Sequence, residues 1–146
     1  MENVVARSWR GEVIEGCIRA YIAVVDTTGR LLYSVGDPSY VTYWRSSSKP
    51  IQALPLIETG AADAYGLSDE EISVVCASHT GEDFHTDAVQ SILDKAGLSQ
   101  GDLQCGAHPL DRSYHRRDLP DDQPPKRIHS NCSGKHAGML AASKHN

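Results

Sequence analysis

Short β-rich runs at one end of the chain give way to helical spacing along the rest. Residues 3–35 read as strands. Tyr21-Ile22-Ala23-Val24-Val25 and Leu31-Leu32-Tyr33-Ser34-Val35 are apolar and β-rich, and Asp26-Thr27-Thr28-Gly29 between them supplies turn residues. That arrangement predicts a hairpin, ended by Gly36-Asp37-Pro38. A helix follows over Ile51 to Thr59, with Gly60 as its stop. Pro55 falls inside it and is expected to kink or shorten it. Ser68-Asp69-Glu70-Glu71 is a Ser-x-x-Glu capping box. It predicts a short helical turn before a buried strand over Ile72 to Ala77. From His85 to Ala96 the apolar positions are Ala88, Val89, Ile92, Leu93 and Ala96, which is helical spacing, with Gly97 as the stop. Gly106 to Lys126 has prolines, aspartates and arginines without periodicity and reads as a long irregular loop. A last helical pattern follows, with Asn131 or Ser133 as its cap, and it still carries unpaired apolar residues at Asn146.

Composition narrows the function classes. At 146 residues, one domain spanning 1–146 can bury roughly 68–70% of its unfolded surface. Hydrophobic residues at 40% and charged residues at 23% argue against disorder. A net charge of -5 argues against a nucleic-acid partner. No apolar run is long enough to cross a bilayer, so no membrane partner is expected. Met1-Glu2-Asn3 opens the chain without the basic and apolar segments of a signal peptide, so the expected compartment is cytoplasmic. Cys17, Cys76, Cys105 and Cys132 form no Cys-x-x-Cys pair and read as free thiols or ligands. Asn131-Cys132-Ser133 matches a glycosylation sequon, which without a leader reads as chance.

Three stretches carry chemistry. The first is Arg45-Ser46-Ser47-Ser48-Lys49-Pro50. A serine hydroxyl becomes a good nucleophile only when a base removes its proton, and a lysine is such a base only when neutral. Positions three apart on a helix share a face, so Ser46 and Lys49 can meet. Pro50 suits a first turn and puts the helix start near Ser47 to Lys49. That electropositive end favours an alkoxide and disfavours a charged lysine. The bland reading of the same run is a capped helix start, with Ser47 and Ser48 as cap or turn residues. The second stretch is Cys76-Ala77-Ser78-His79-Thr80-Gly81-Glu82, where small and hydroxyl residues open after an apolar run and Gly81 permits close backbone approach. His79 and His85 read as structural or exposed. The third is His129-Ser130-Asn131-Cys132-Ser133-Gly134-Lys135-His136-Ala137-Gly138-Met139-Leu140. On residue chemistry alone, His129, Cys132 and His136 could form a conventional metal cluster.

Together and in this order, the three stretches closely resemble the L-asparaginase II family, the rhizobial type, along the whole chain. The resemblance implies an α+β fold like that of serine β-lactamases and glutaminases, here incomplete, with N-terminal antiparallel strands followed by helices. It implies that Ser46 and Lys49 are the first Ser-Lys pair and Ser78 the serine of a second pair. It implies that Cys132 and Lys135 are two zinc ligands, and that Arg45 and His136 stand near the substrate. The second pair's lysine and the third zinc ligand would lie beyond this sequence. The chain therefore reads as the N-terminal part of a single, longer domain.

The function so implied is hydrolysis of L-asparagine to L-aspartate and ammonia through a serine nucleophile, with zinc possible and no organic cofactor. A homodimer is also implied. Two rivals stand beside it: a penicillin-recognising serine hydrolase, which shares the Ser-x-x-Lys logic, and an inactive zinc-binding fragment.

Overall fold

The structure is a computed structural model. It describes residues 3–107 and 124–146. The chain divides into two compact units, Met1–Tyr43 and Trp44–Asn146.

The first unit holds two separate two-stranded antiparallel sheets. Strand β1 (Val4–Arg10) pairs with β2 (Val13–Arg19), and β3 (Ile22–Val25) pairs with β4 (Leu31–Val35). The second pair is the hairpin that the sequence predicts. Its turn is held by Asp26, whose carboxylate accepts from the Thr28 N–H at 2.9 Å and the Arg30 N–H at 3.0 Å. Gly29, at a φ of 83°, takes the left-handed position beside it.

The second unit is helical among its described residues. A 3-10 turn at Arg45–Ser48 leads into α1 (Lys49–Glu58). Pro50 lies in the first turn, as expected. Pro55 does not end the helix: α1 runs on to Glu58, and the Thr59 N–H donates to the Pro55 carbonyl at 3.1 Å. Gly60 then turns the chain with φ 77° into the short α2 (Ala61–Ala64).

Ile72 to Ala77 corrects the sequence reading. Ile72 to Cys76 are not a strand but the greater part of α3 (Asp69–Cys76), and only Ala77, which follows the helix, is extended. The capping box is real: the Glu71 N–H donates to Ser68 Oγ at 3.3 Å, and the Ser68 N–H donates to Glu71 Oε2 at 2.6 Å. Once nucleated there, the helix continues, because its buried residues Glu71, Val74 and Val75 have helical spacing. A short apolar run fits a strand or a buried helix equally well, and packing decided for the helix.

Helix α4 (Asp83–Lys95) covers the predicted helix but starts two residues before His85, with Ala96 as its C-cap and Gly97 just beyond. Helix α5 (Ser133–His145) packs against α1, α3 and α4. Neither Asn131 nor Ser133 caps it. Cys132 holds the cap position without a side-chain bond, and Ser133 is the first helical residue. Leu56, Val75, Val89, Ile92, Leu93, Leu103, Ala137 and Ala141 form the centre of the core. The predicted irregular loop falls mostly on residues 108–123, outside the described residues. The four cysteines form no disulfide. Among the described residues, no helix is long and apolar enough to cross a membrane.

Candidate active site

The Ser-Ser-Ser-Lys run is folded so that its three hydroxyls differ. Ser47 Oγ donates to the Trp44 carbonyl, and Ser48 Oγ donates to the Arg45 carbonyl at 2.8 Å. Both therefore brace the turn, as the sequence suggested. Ser46 is exposed, and its side chain makes no hydrogen bond among the described residues. Arg45, also exposed, has a φ of 49°. A left-handed arginine is strained, and such strain clusters at functional sites.

Lys49 is 97% removed from solvent, at 3% exposure. Its Nζ lies 3.2 Å from the Ala77 carbonyl, 3.0 Å from the Asn131 carbonyl and 2.9 Å from Ser78 Oγ. The partner of the buried amine is thus the serine of the second motif. No side-chain hydrogen bond joins Lys49 to Ser46 among the described residues; Ser46 meets Lys49 through the backbone, its carbonyl accepting the Lys49 N–H.

Donor counting gives this site its chemistry. The two carbonyls can only accept, so each takes one N–H of the amine. Ser78 Oγ can do either. With a charged ammonium it receives the third N–H. With a neutral amine, the lone pair points at the hydroxyl and can receive its proton. The two backbone carbonyls thereby direct the third position of the Lys49 amine at Ser78 Oγ.

Ser78 follows α3 directly, after Ala77 turns the backbone to an extended conformation (φ -130°, ψ 169°). Its exposed side chain lies on a cleft of about 430 Å³ that is also lined by Ser73, Val74, Phe84 and His85. His85 is half-buried there. Its Nδ1 is buried without a hydrogen-bond partner among the described residues. Burial pushes the His85 imidazole below its usual pKa, against an opposing pull from Glu82.

Cys132, Lys135 and His136 sit half-buried at the start of α5. His136 Nδ1 lies 2.9 Å from the Cys132 carbonyl, which can only accept, so Nδ1 carries the proton. The conventional cluster of His129, Cys132 and His136 is not formed: among the described residues, no three His, Cys, Asp or Glu side chains converge on a metal position. Cys132 and Lys135 offer two donors at most, which leaves a tetrahedral zinc two ligands short. The described residues therefore do not by themselves make up a zinc site.

The structure sets Lys49 against Ser78, whereas the sequence pairs Lys49 with Ser46 and gives Ser78 a lysine beyond Asn146. It left out the Ala77 and Asn131 carbonyls that orient the amine, because a backbone oxygen carries no residue signature. His79, read from the sequence as structural or exposed, is buried, with 5% of its surface exposed, and lies beside this centre.

The family model for L-asparaginase II matches residues 6–146 of the chain. No curated protein matches it.

Proposed function

Because the chain belongs to the L-asparaginase II family, we propose that it cleaves the side-chain amide of L-asparagine to L-aspartate and ammonia at the Lys49 centre. The observation that carries this reading is a buried amine with carbonyls on two sides and a serine hydroxyl 2.9 Å away on the third. A buried lysine within hydrogen-bond reach of a serine hydroxyl is the pairing that serine–lysine acyl transfer uses.

In this mechanism Ser46 Oγ attacks the amide carbon. Its proton passes through Ser78 to the lone pair of Lys49. Lys49 then gives a proton to the leaving nitrogen, the C–N bond breaks, and ammonia departs. The substrate is left as a β-aspartyl ester on Ser46. Water loses a proton to Lys49 and attacks the ester; aspartate leaves and Ser46 regains its proton. Arg45, exposed beside Ser46, takes the substrate α-carboxylate in a two-pronged contact. His136 stands near the substrate.

A second reading exchanges the two serines. The Lys49–Ser78 bond favours Ser78 as the nucleophile, since it already faces the base.

Ammonia release from L-asparagine by the purified chain tests the reaction, and quenching during turnover tests the serine. A mass increase on the peptide carrying Ser46, absent in Ser46→Ala, supports the first reading. The same mark on Ser78 supports the second. Undiminished ammonia release by both Ser46→Ala and Ser78→Ala would remove the serine–lysine centre from the reaction.

A further inference from the structure

We propose that His79 is a positioning residue that holds the Lys49–Ser78 centre together through its hydrogen bond to Ser133. The inference rests on the reading of that centre as catalytic.

The hydrogen bonds assign the tautomer. Ser133, fully buried at the start of α5, has its Oγ 2.7 Å from the Ile128 carbonyl. A carbonyl only accepts, so the hydroxyl's single proton goes there. Ser133 Oγ must then accept from His79 Nε2, 2.9 Å away. That puts the imidazole proton on Nε2 and leaves Nδ1 to accept the Gly81 N–H at 3.2 Å. One neutral tautomer satisfies all three bonds.

The same residue ties the backbone. The His79 N–H donates to the Asn131 carbonyl at 3.4 Å, and that oxygen also accepts from Lys49 Nζ at 3.0 Å. His79 therefore joins the two segments that grip Lys49: its chain neighbour Ser78 on one side, and residues 128–133 on the other. The segments touch again at Gly81, whose φ is 75° and where an added Cβ would lie 2.9 Å from the His129 carbonyl. Without the His79–Ser133 link, the two segments keep only the backbone bond from the His79 N–H to the Asn131 carbonyl and the approach at Gly81, so the relation between that carbonyl and Ser78 Oγ loosens and the Lys49 amine is aimed less sharply. His79 touches neither substrate nor the reacting atoms in this scheme, so its loss should lower kcat and spare KM.

Steady-state kinetics on L-asparagine and long-range 1H–15N spectra of the full chain test this together. His79→Leu should lower kcat by about 10²-fold, the scale of a misplaced catalytic group, with KM little changed. His79→Gln, which keeps an N–H donor for Ser133, should recover most of kcat. The spectrum should show His79 with Nε2 protonated and Nδ1 bare. His79→Leu should shift the Lys49 side-chain signal, while His79→Gln should not. Wild-type kcat in His79→Leu, alongside an inactive Ser78→Ala, would overturn the positioning role and leave the centre intact. Full activity in Lys49→Met would instead overturn the catalytic reading, and this inference with it. The spectra need neither turnover nor a folded His79→Leu: a protonated His79 Nδ1 in the wild type would also overturn the proposal.

Discussion

In the proposed mechanism, Lys49→Arg would place a permanent cation at the buried position and remove the base. A guanidinium has five N–H donors and no acceptor, and it does not give up its proton in proteins. It can still satisfy the Ala77 and Asn131 carbonyls, yet it cannot receive a proton from a serine. Both Lys49→Arg and Lys49→Met should therefore lower kcat on L-asparagine by about 10²–10⁴-fold, the usual worth of a general base. A Lys49→Arg variant with wild-type kcat would show that the amine acts only as a charge. His85 makes a different prediction at the same scale. Burial holds its imidazole below the ordinary 6.5, with Glu82 pulling weakly the other way. As pH falls through that ordinary value, the unfolded chain takes up the proton before the native one does. Stability is then present above the unfolded pKa and is lost as pH falls toward the folded one. The urea midpoint should drop between about pH 7.5 and about pH 5.5, and the drop should shrink in His85→Phe. An equal drop in both would assign the effect to other groups.

At the scale of elements, two glycines set how closely α5 approaches α3. A Cβ at Gly134 would overlap the Val74 carbonyl oxygen, and one at Gly138 would press into the Val75 side chain. Gly134→Ala should cost about 1–3 kcal/mol, the range for overpacking a core. Gly138→Ala should cost less, because a side chain yields more readily than a backbone carbonyl. Met139 lies on the exposed face of the same helix, and Met139→Ala should leave the urea midpoint nearly unchanged. Equal midpoints for Gly134→Ala and Met139→Ala would mean that the close approach is not needed.

This contact also explains what the sequence could and could not tell. The β3–β4 hairpin, the Ser68 capping box and α4 were legible, because each depends on residues close in the chain. Ile72 to Ala77 was misread as a strand, because its apolar run has no local arbiter. What makes it helical is the cap at one end and the packing of α5 on Val74 and Val75. The site divides in the same way. Lys49 and Ser78 stood out by residue type. The Asn131 carbonyl, 82 positions from Lys49, and the Ser133 hydroxyl, 54 positions from His79, could be found only in the folded chain.

The two units differ as whole bodies in what they bury. Val75, Val89, Ile92, Leu93 and Leu103 are closed off in the second unit. In the first, Trp9, Val13, Ile18 and Tyr33 are all exposed by more than half, at 56%, 68%, 63% and 61%. Its sheets have two strands each, and an isolated two-stranded hairpin is only marginally stable in water. Amides in such a hairpin open with little free energy, whereas those over a closed core open at a cost near that of global unfolding. Hydrogen exchange of the full chain should therefore find the slow amides in α3, α4 and α5. The amides of β1 to β4 should exchange at close to the rate of an unstructured peptide. Protection of β1 and β2 equal to that of α4 would contradict this, since two strands with bare apolar faces have no source of such stability within themselves. Dependence of that protection on protein concentration would then assign the cover to a second copy of the chain; independence would assign it to contacts within one copy.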